Sequence, residues 1–265
     1  MKNLEIYDHQ MTIKGLNIYY RTAGDQRNQA VVLLNGWGAK VRGIFGSERV
    51  IKEIARRGFF VYSPEHPGLM RSQTPKNIWG QEEYRAYLED FIVSLDIINP
   101  IIIGQSFGGA IATAYAAVHS DSIKILVLVD AGLSSDKYRR HRLKLRFYSK
   151  KFSYYLLSKS APSMVKKILI WIVLGIPWNF INKETFQIRS RMGEIFDQWK
   201  LDNVYSKITS PTIMIWGKND MLFTSDLAET VSRELPNAKF YSVFGGHSVL
   251  YTQPKKIINL ICEKL

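Results

Sequence analysis

The stretch "IIIGQSFGGA", residues 101–110, runs from three isoleucines into a serine that is surrounded by glycines. A strand that turns sharply into a helix projects its turn residue above the sheet, and neighbouring side chains crowd such a turn. Gly104 and Gly108 relieve that crowding in the Gly-x-Ser-x-Gly spacing. The apolar run before the serine predicts a strand, and the alanine-rich residues 107–119 predict a helix. We therefore expect Ser106 at the tip of a strand–helix turn, facing the positive end of the helix dipole.

Apolar runs on both sides of this turn predict further strands. From residue 30 onward most runs are continuously apolar rather than alternating, which indicates strands buried on both faces, as in a parallel sheet. Helical patterns lie between the runs, so the chain predicts a doubly wound α/β sheet. The predicted strands span residues 16–21, 30–36, 59–65, 100–105, 124–132, 211–218 and 238–245, and the predicted helices span 47–57, 81–97, 107–119, 225–235 and 254–265.

Residues 133–200 break this alternation and predict a mostly helical insertion, with the core domain formed by residues 1–132 and 201–265. The insertion contains the basic run "RRHRLKLRFYSKK" and an unbroken apolar run of 11 residues, 168–178. A membrane-spanning helix needs about 20 apolar residues, so this run is too short to cross a bilayer. Its aromatic residues, Trp171 among them, are candidates either for packing or for an apolar substrate pocket.

The net charge of +13 is concentrated in this insertion, which holds 15 Lys and Arg residues against four Asp and Glu residues. A basic segment beside an apolar helix predicts weak contact with an anionic membrane surface, and the alternative is a solvated basic face. No nucleic-acid-binding motif accompanies the charge, so we expect no nucleic-acid partner. The oligomeric state is left open by the sequence.

The chain has one cysteine, Cys262, which excludes an intramolecular disulfide and makes a cysteine metal site improbable. The first residues, "MKNLEIYDHQMTIKG", lack the apolar stretch of a signal peptide. Both features favour a reduced, cytoplasmic compartment. The basic insertion adds peripheral contact with a membrane to this expectation.

A serine hydroxyl is a poor nucleophile unless a base takes its proton and a carboxylate orients that base. After Ser106 the chain offers Asp220, just past one buried run, and His247, just past the next. Both are expected at the edge of the sheet that carries Ser106, because open α/β sheets gather their sites there. Asp130 ends another run at the same edge. It is an alternative acid, and otherwise a helix cap or a polar rim residue.

A hydrolytic site also needs donors for the oxyanion that forms during the reaction. One is expected from the N–H of Phe107, directly after the serine, and the other from the N–H of Trp37. The surrounding "NGWG" includes Asn35 and Gly36, which we take as candidate substrate-binding residues, because glycines let backbone amides face a ligand.

These motifs resemble those of the α/β-hydrolase superfamily, in particular its capped esterase, lipase and peptidase-like branch. The resemblance covers nearly the whole chain and lies in "LLNGWG", "SPEHPGLMRS", "GQSFGG", "VLVDAG", "PTIMIWGKND" and "GGHSV". It implies a mostly parallel sheet of about eight strands, a helical cap inserted after strand 6, and a Ser106–His247–Asp220 triad. Three positions depart from the family pattern: Asn35 replaces a histidine, Glu65 replaces an aspartate, and Phe107 is bulky.

The expected function is hydrolysis of a carboxylic ester with an apolar acyl group, through an acyl-enzyme at Ser106 and without a metal or organic cofactor. A peptidase, thioesterase, lactonase or carbon–carbon bond hydrolase would use the same side chains. The alternative from another class is a non-catalytic ligand-binding protein on this fold.

Overall fold

The computed structural model describes residues 4–36, 46–77, 79–134 and 198–265. The predictions for Trp37, for Trp171 and for the body of the insertion lie outside these residues. The contacts of the chain divide it into two units. The first unit consists of Met1–Leu133 and Leu201–Leu265, and the second consists of Ser134–Lys200.

The described residues form one sheet of eight strands in the order β1-β2-β4-β3-β5-β6-β7-β8. The mostly parallel, doubly wound sheet that the sequence predicts is therefore confirmed. The strands are β1 (Tyr7–Ile13), β2 (Leu16–Ala23), β3 (Ala30–Leu34), β4 (Phe60–Pro64), β5 (Ile101–Gln105), β6 (Ile125–Val129), β7 (Thr212–Gly217) and β8 (Ala238–Val243).

Strands β3 to β8 are parallel to one another, and β5 and β6 at the centre are buried along their whole length. Burial on both faces explains why their sequences are continuously apolar. In β5, Ile101 and Ile103 join the core on one side of the sheet, and the intervening Ile102 points to the other side. Because the strands are parallel, the carboxyl ends of β5, β6, β7 and β8 all lie at one edge.

Strand β1 has no counterpart among the predicted strands. It pairs antiparallel with β2 at the border of the sheet, and its sequence, "YDHQMTI", is mostly polar because much of it is exposed. The turn that joins the two strands places Lys14 at φ 49° and Gly15 at φ 72°. Two successive positive φ values are typical of a tight hairpin turn. The sequence signal for this turn was the Lys14-Gly15 pair, which precedes alternating buried and exposed residues at the start of β2.

Six α-helices lie among the described residues: α1 (Ser47–Arg56), α2 (Gln81–Ser94), α3 (Phe107–His119), α4 (Ser225–Ser232), α5 (Val249–Thr252) and α6 (Pro254–Lys264). Helix α1 contacts α5 and α6, and their apolar residues share one core cluster with the sheet. Helix α2 contacts α3. In α1 the residues Val50, Ile51 and Ile54 are buried, as the helical spacing of apolar residues predicts.

The predicted insertion, residues 133–200, falls between β6 and β7 in the chain. Its helical content lies outside the described residues. No helix of the described part of the chain is long and apolar enough to span a membrane.

A cluster of buried charges lies beside the end of β4. The Glu65 side chain is fully buried and accepts hydrogen bonds from the backbone N–H of Arg71 at 2.9 Å and from its Nη2 at 2.7 Å. Arg21 is also buried, with Nη2 3.8 Å from a Glu65 oxygen and 3.1 Å from Ser47 Oγ. Burial lowers the pKa of Arg21, and the carboxylate of Glu65 counteracts this. The Glu65 carboxylate, together with a Glu48 oxygen 4.0 Å from Arg21 Nη1, thus offsets the buried positive charge of Arg21.

Replacing Glu65 with alanine should therefore destabilise the protein by about 3–5 kcal/mol, because the partner of a buried charge is removed. The free energy of unfolding in urea measures this. Asp25→Ala is the matched control, since Asp25 pairs with Arg27 at the surface and loses only a solvent-screened contact. Equal urea midpoints for the two variants would show that the cluster contributes nothing to stability.

Candidate active site

Ser106 lies between the end of β5 and the start of α3, with φ 51° and ψ −119°. This backbone conformation is strained for a residue with a side chain, and strained residues concentrate at functional sites. The turn fits because its neighbours are glycines. A Cβ on Gly104 would lie 2.6 Å from Gly109 Cα, and one on Gly108 would lie 2.7 Å from the carbonyl oxygen of Asn35. The Gly-x-Ser-x-Gly spacing is thus required by the packing of this turn.

His247 lies in the loop between β8 and α5, and its ring contacts both of the other predicted residues. Its Nε2 lies 2.8 Å from Ser106 Oγ, and its Nδ1 lies 2.8 Å from Asp220 Oδ2. A carboxylate only accepts, so Nδ1 carries the proton and Nε2 accepts from the serine hydroxyl. The structure thereby brings Ser106, His247 and Asp220 into one hydrogen-bonded chain across 141 residues of sequence.

Asp220 follows β7, and its side chain is completely buried. Its second oxygen, Oδ1, accepts hydrogen bonds from the backbone N–H groups of Leu222 at 2.8 Å and Phe223 at 3.0 Å. Two fixed donors on one oxygen leave the other oxygen directed at the imidazole. The turn after β7 therefore sets the orientation of the carboxylate and, through it, of the histidine ring.

Asp130 follows β6 and, in the described contacts, it does not bond to His247. Its carboxylate is fully buried, so it is not a rim residue. Oδ1 accepts from the N–H of Gly217 at 2.8 Å, and Oδ2 accepts from the N–H of Val249, the first residue of α5, at 3.0 Å. Of the two candidate acids, Asp220 is the one that contacts the histidine.

Asn35 and Gly36 follow the end of β3, and Gly36 lies close to the serine. The side chain of Asn35 is buried, donates to Ser63 Oγ at 2.9 Å and accepts from Tyr251 Oη at 3.0 Å. The N–H of Gly36 donates to the same tyrosine oxygen at 3.3 Å, and a Cβ on Gly36 would lie 2.9 Å from Ser106 Cβ. These bonds occupy the side-chain amide of Asn35 and hold the end of β3 against Ser63 and Tyr251.

Phe107 is the first residue of α3, so its backbone N–H lies at the positive end of the helix dipole, directly after Ser106. Its buried ring packs edge-on against His66, with 5.9 Å between the ring centroids, and against Tyr84 at 5.0 Å. Burial lowers the pKa of His66 to about 4, and its Nε2 bonds to the carbonyl oxygen of Asn35 at 3.0 Å. The second predicted oxyanion donor, Trp37, lies outside the described residues.

Two residues of this site were missed by the sequence analysis. Gln105 precedes the serine, and its Nε2 donates to the carbonyl oxygen of His247 at 2.9 Å. Tyr251 lies in α5, and its hydroxyl links that helix to Asn35 and Gly36. The position of Gln105 within "GQSFGG" was a usable signal. Nothing local marked Tyr251, whose partners lie more than 200 residues earlier in the chain.

Two other histidines of the described chain lie beside other side chains. His9 bonds to Thr22 Oγ1 at 2.8 Å, and His119 lies 3.4 Å from a Glu89 oxygen. Among the residues that the structure describes, no group of three or more His, Cys, Asp or Glu side chains is placed to hold a metal ion.

Comparison with known proteins identifies the family. Residues 29–160 match the family model described as the alpha/beta hydrolase fold. A solved structure of a membrane phospholipase A superposes with a TM-score of 0.74 over 97% of this chain and 85% of its own, at 19% sequence identity. The chain belongs to the α/β-hydrolase superfamily, which confirms the predicted family and fold.

Different curated relatives are named for different hydrolytic reactions. Human monoacylglycerol lipase ABHD6 is 28% identical over 185 residues, which cover 62% of this chain and 54% of the lipase. The chain thus spans about half the length of that relative. A 2-hydroxy-6-oxononadienedioate/2-hydroxy-6-oxononatrienedioate hydrolase of Cupriavidus pinatubonensis is 24% identical, covering 89% of this chain and 86% of its own length.

Proposed function

We propose that the protein is a serine hydrolase that cleaves carboxylic esters through an acyl-enzyme at Ser106. The observation that carries the proposal is the hydrogen-bonded chain from Ser106 Oγ through the imidazole of His247 to Asp220, with 2.8 Å at each contact. A serine, an imidazole and a carboxylate in this geometry activate the hydroxyl as a nucleophile.

In the first half of the proposed reaction, Ser106 Oγ attacks the ester carbonyl while its proton passes to His247 Nε2. The imidazole becomes positively charged, and Asp220, held by two backbone donors, stabilises that charge. The protonated Nε2 then donates its proton to the departing alcohol oxygen as the carbon–oxygen bond breaks. The acyl group is left on Ser106.

In the second half, His247 Nε2 takes a proton from a water molecule, which attacks the acyl carbon. Collapse of the second tetrahedral intermediate returns the proton to Ser106 Oγ and releases the acid. In both halves the negative oxygen requires fixed donors, and we assign these to the backbone N–H groups of Phe107 and Trp37. No metal or organic cofactor enters this scheme.

An apolar acyl group is the proposed specificity. The lipase relative is named for monoacylglycerols, which are carboxylic esters with an apolar acyl chain. The small-molecule substrate would reach Ser106 at the carboxyl edge of the sheet.

A series of p-nitrophenyl esters of increasing acyl length tests this function. We expect hydrolysis of at least part of the series, and the dependence on chain length defines the acyl pocket. Inert esters combined with cleavage of an amino-acid anilide would overturn the ester assignment in favour of a peptidase. Folded protein that neither turns over esters nor reacts with a fluorophosphonate would instead be a ligand-binding protein.

Carbon–carbon bond hydrolysis is the second candidate, because the Cupriavidus relative matches nearly the whole chain and is named for a dicarboxylate substrate. The same three side chains would serve it. Turnover of 2-hydroxy-6-oxononadienedioate at a higher kcat/KM than that of every ester in the series would favour this reaction over ester hydrolysis.

A further inference from the structure

Asp130 is a buried carboxylate that the proposed mechanism does not use. It joins two segments that the chain separates widely: the end of β7, three residues before Asp220, and the start of α5, two residues after His247. Its own backbone also reaches the nucleophile, because the carbonyl oxygen of Asp130 accepts the N–H of Ser106 at 3.1 Å. One residue thus contacts the segments that carry all three members of the Ser106–His247–Asp220 chain.

The contact pattern favours a charged carboxylate. Each oxygen faces a backbone N–H, so each must act as an acceptor. The ionised form offers a full acceptor on both oxygens, whereas protonation turns one oxygen into a hydroxyl, which is a weaker acceptor. Asparagine, which has the same shape, would set its amide N–H₂ against one of these N–H groups.

We infer that Asp130 is a positioning residue whose ionised carboxylate ties the loop of Asp220 to the loop of His247, and so holds both at hydrogen-bonding distance from each other. The inference rests on the proposed function, because it gives Asp130 its role through His247 and Asp220. Asp130 itself does not touch the reacting atoms.

Two titratable groups act on Asp130 from the neighbouring loops: His247 favours its charged form, and Asp220 disfavours it. Burial is the largest influence and raises the pKa of Asp130 to about 7. Above neutral pH the carboxylate is therefore charged, and this charge lowers the free energy of unfolding. An unfavourable effect on stability is expected of a residue that serves the geometry of the site rather than folding.

The rate constant for labelling of Ser106 by a fluorophosphonate at pH 8 tests the inference without knowledge of the substrate. In Asp130→Asn we expect labelling to be about 10–100-fold slower, as for the loss of a group that orients a catalytic side chain. Asp96→Asn is the matched control, because Asp96 has a φ of 48°, close to the 43° of Asp130, but is exposed and precedes β5 while Ser106 follows it. Equal labelling rates in the two variants would overturn the inference.

The pH dependence of thermal stability tests the charge state of Asp130 in the folded protein. The folded pKa of Asp130 lies above its unfolded value, so the stability that it contributes is present at low pH and lost as pH rises through about 7. Asparagine cannot ionise. The melting temperature of Asp130→Asn, relative to that of the unchanged protein, should therefore increase between pH 5 and pH 8. A difference that is the same at both pH values would contradict a titration of Asp130 between them.

A third measurement keeps the inference testable if the proposed function fails. The proton that His247 Nδ1 donates to Asp220 gives a downfield signal in ¹H NMR, and this signal should disappear in Asp220→Asn. In Asp130→Asn it should shift or broaden, because the two loops are no longer tied together. An unchanged signal would overturn the inference whether or not the protein hydrolyses any ester. If Asp130→Asn does not fold, Asp130→Ser, which sets no amide against the backbone donors, is measured in the same three ways.

Discussion

Replacement of Ser106 with alanine should abolish fluorophosphonate labelling and lower ester turnover by about 10⁴–10⁶-fold, with the fold intact. The effect is large because the hydroxyl is the group that forms the acyl-enzyme, and the remaining site offers only oxyanion donors and binding. Mass spectrometry of the labelled protein and the kcat for the best ester of the series measure the two losses.

Ser242→Ala is the control for that variant, because Ser242 is an exposed serine on β8. It should be labelled and should turn over esters as the unchanged protein does. His247→Ala keeps the nucleophile but removes the base, so it should label much more slowly. Full labelling or full turnover in Ser106→Ala would disprove the proposed mechanism.

Replacement of Asp220 with asparagine should lower kcat by about 10⁴-fold while the position of Ser106 is unchanged. An amide can turn its N–H₂ toward His247 Nδ1, which then becomes an acceptor and moves the ring proton to Nε2. In that tautomer Nε2 can no longer accept the proton of Ser106 Oγ. The kcat at pH 8, measured with the ester used for Ser106→Ala, reports the loss.

Asp226→Asn is the matched substitution, since Asp226 lies exposed in the first turn of α4 and has no contact with the histidine in the described structure. It should retain the original kcat. If Asp220→Asn retains more than a tenth of the activity, then Asp220 is not the acid that orients His247.

Much of the fold could be predicted from the sequence because its signals act over a few residues. Continuous apolar runs such as residues 101–103 predict strands buried on both faces, and the parallel centre of the sheet confirms this. Strand β1 escaped prediction for the complementary reason. It lies at the border of the sheet, where exposure permits polar residues and removes the apolar signal.

In the candidate site, too, some residues were predicted from the sequence, and the role of another was left open. Ser106, Asp220 and His247 were predicted from the order of the chain and from the strand that precedes each, and the structure places them together. Asp130 also follows a buried run at the same edge, and the sequence left it as the alternative acid behind Asp220. It differs from Asp220 because its carboxylate faces two backbone N–H groups instead of an imidazole.

By itself, the sequence determined the strand–helix turn at Ser106, because the steric demands of that turn are met by glycines two residues away on either side. It also determined the parallel centre of the sheet, because burial on both faces requires apolar residues at every position. Only the tertiary structure decided which aspartate meets His247 and how Tyr251 supports the loop of Asn35 and Gly36. Those contacts join residues 27 to 216 positions apart, and their geometry depends on the packing of whole loops and helices rather than on any local pattern.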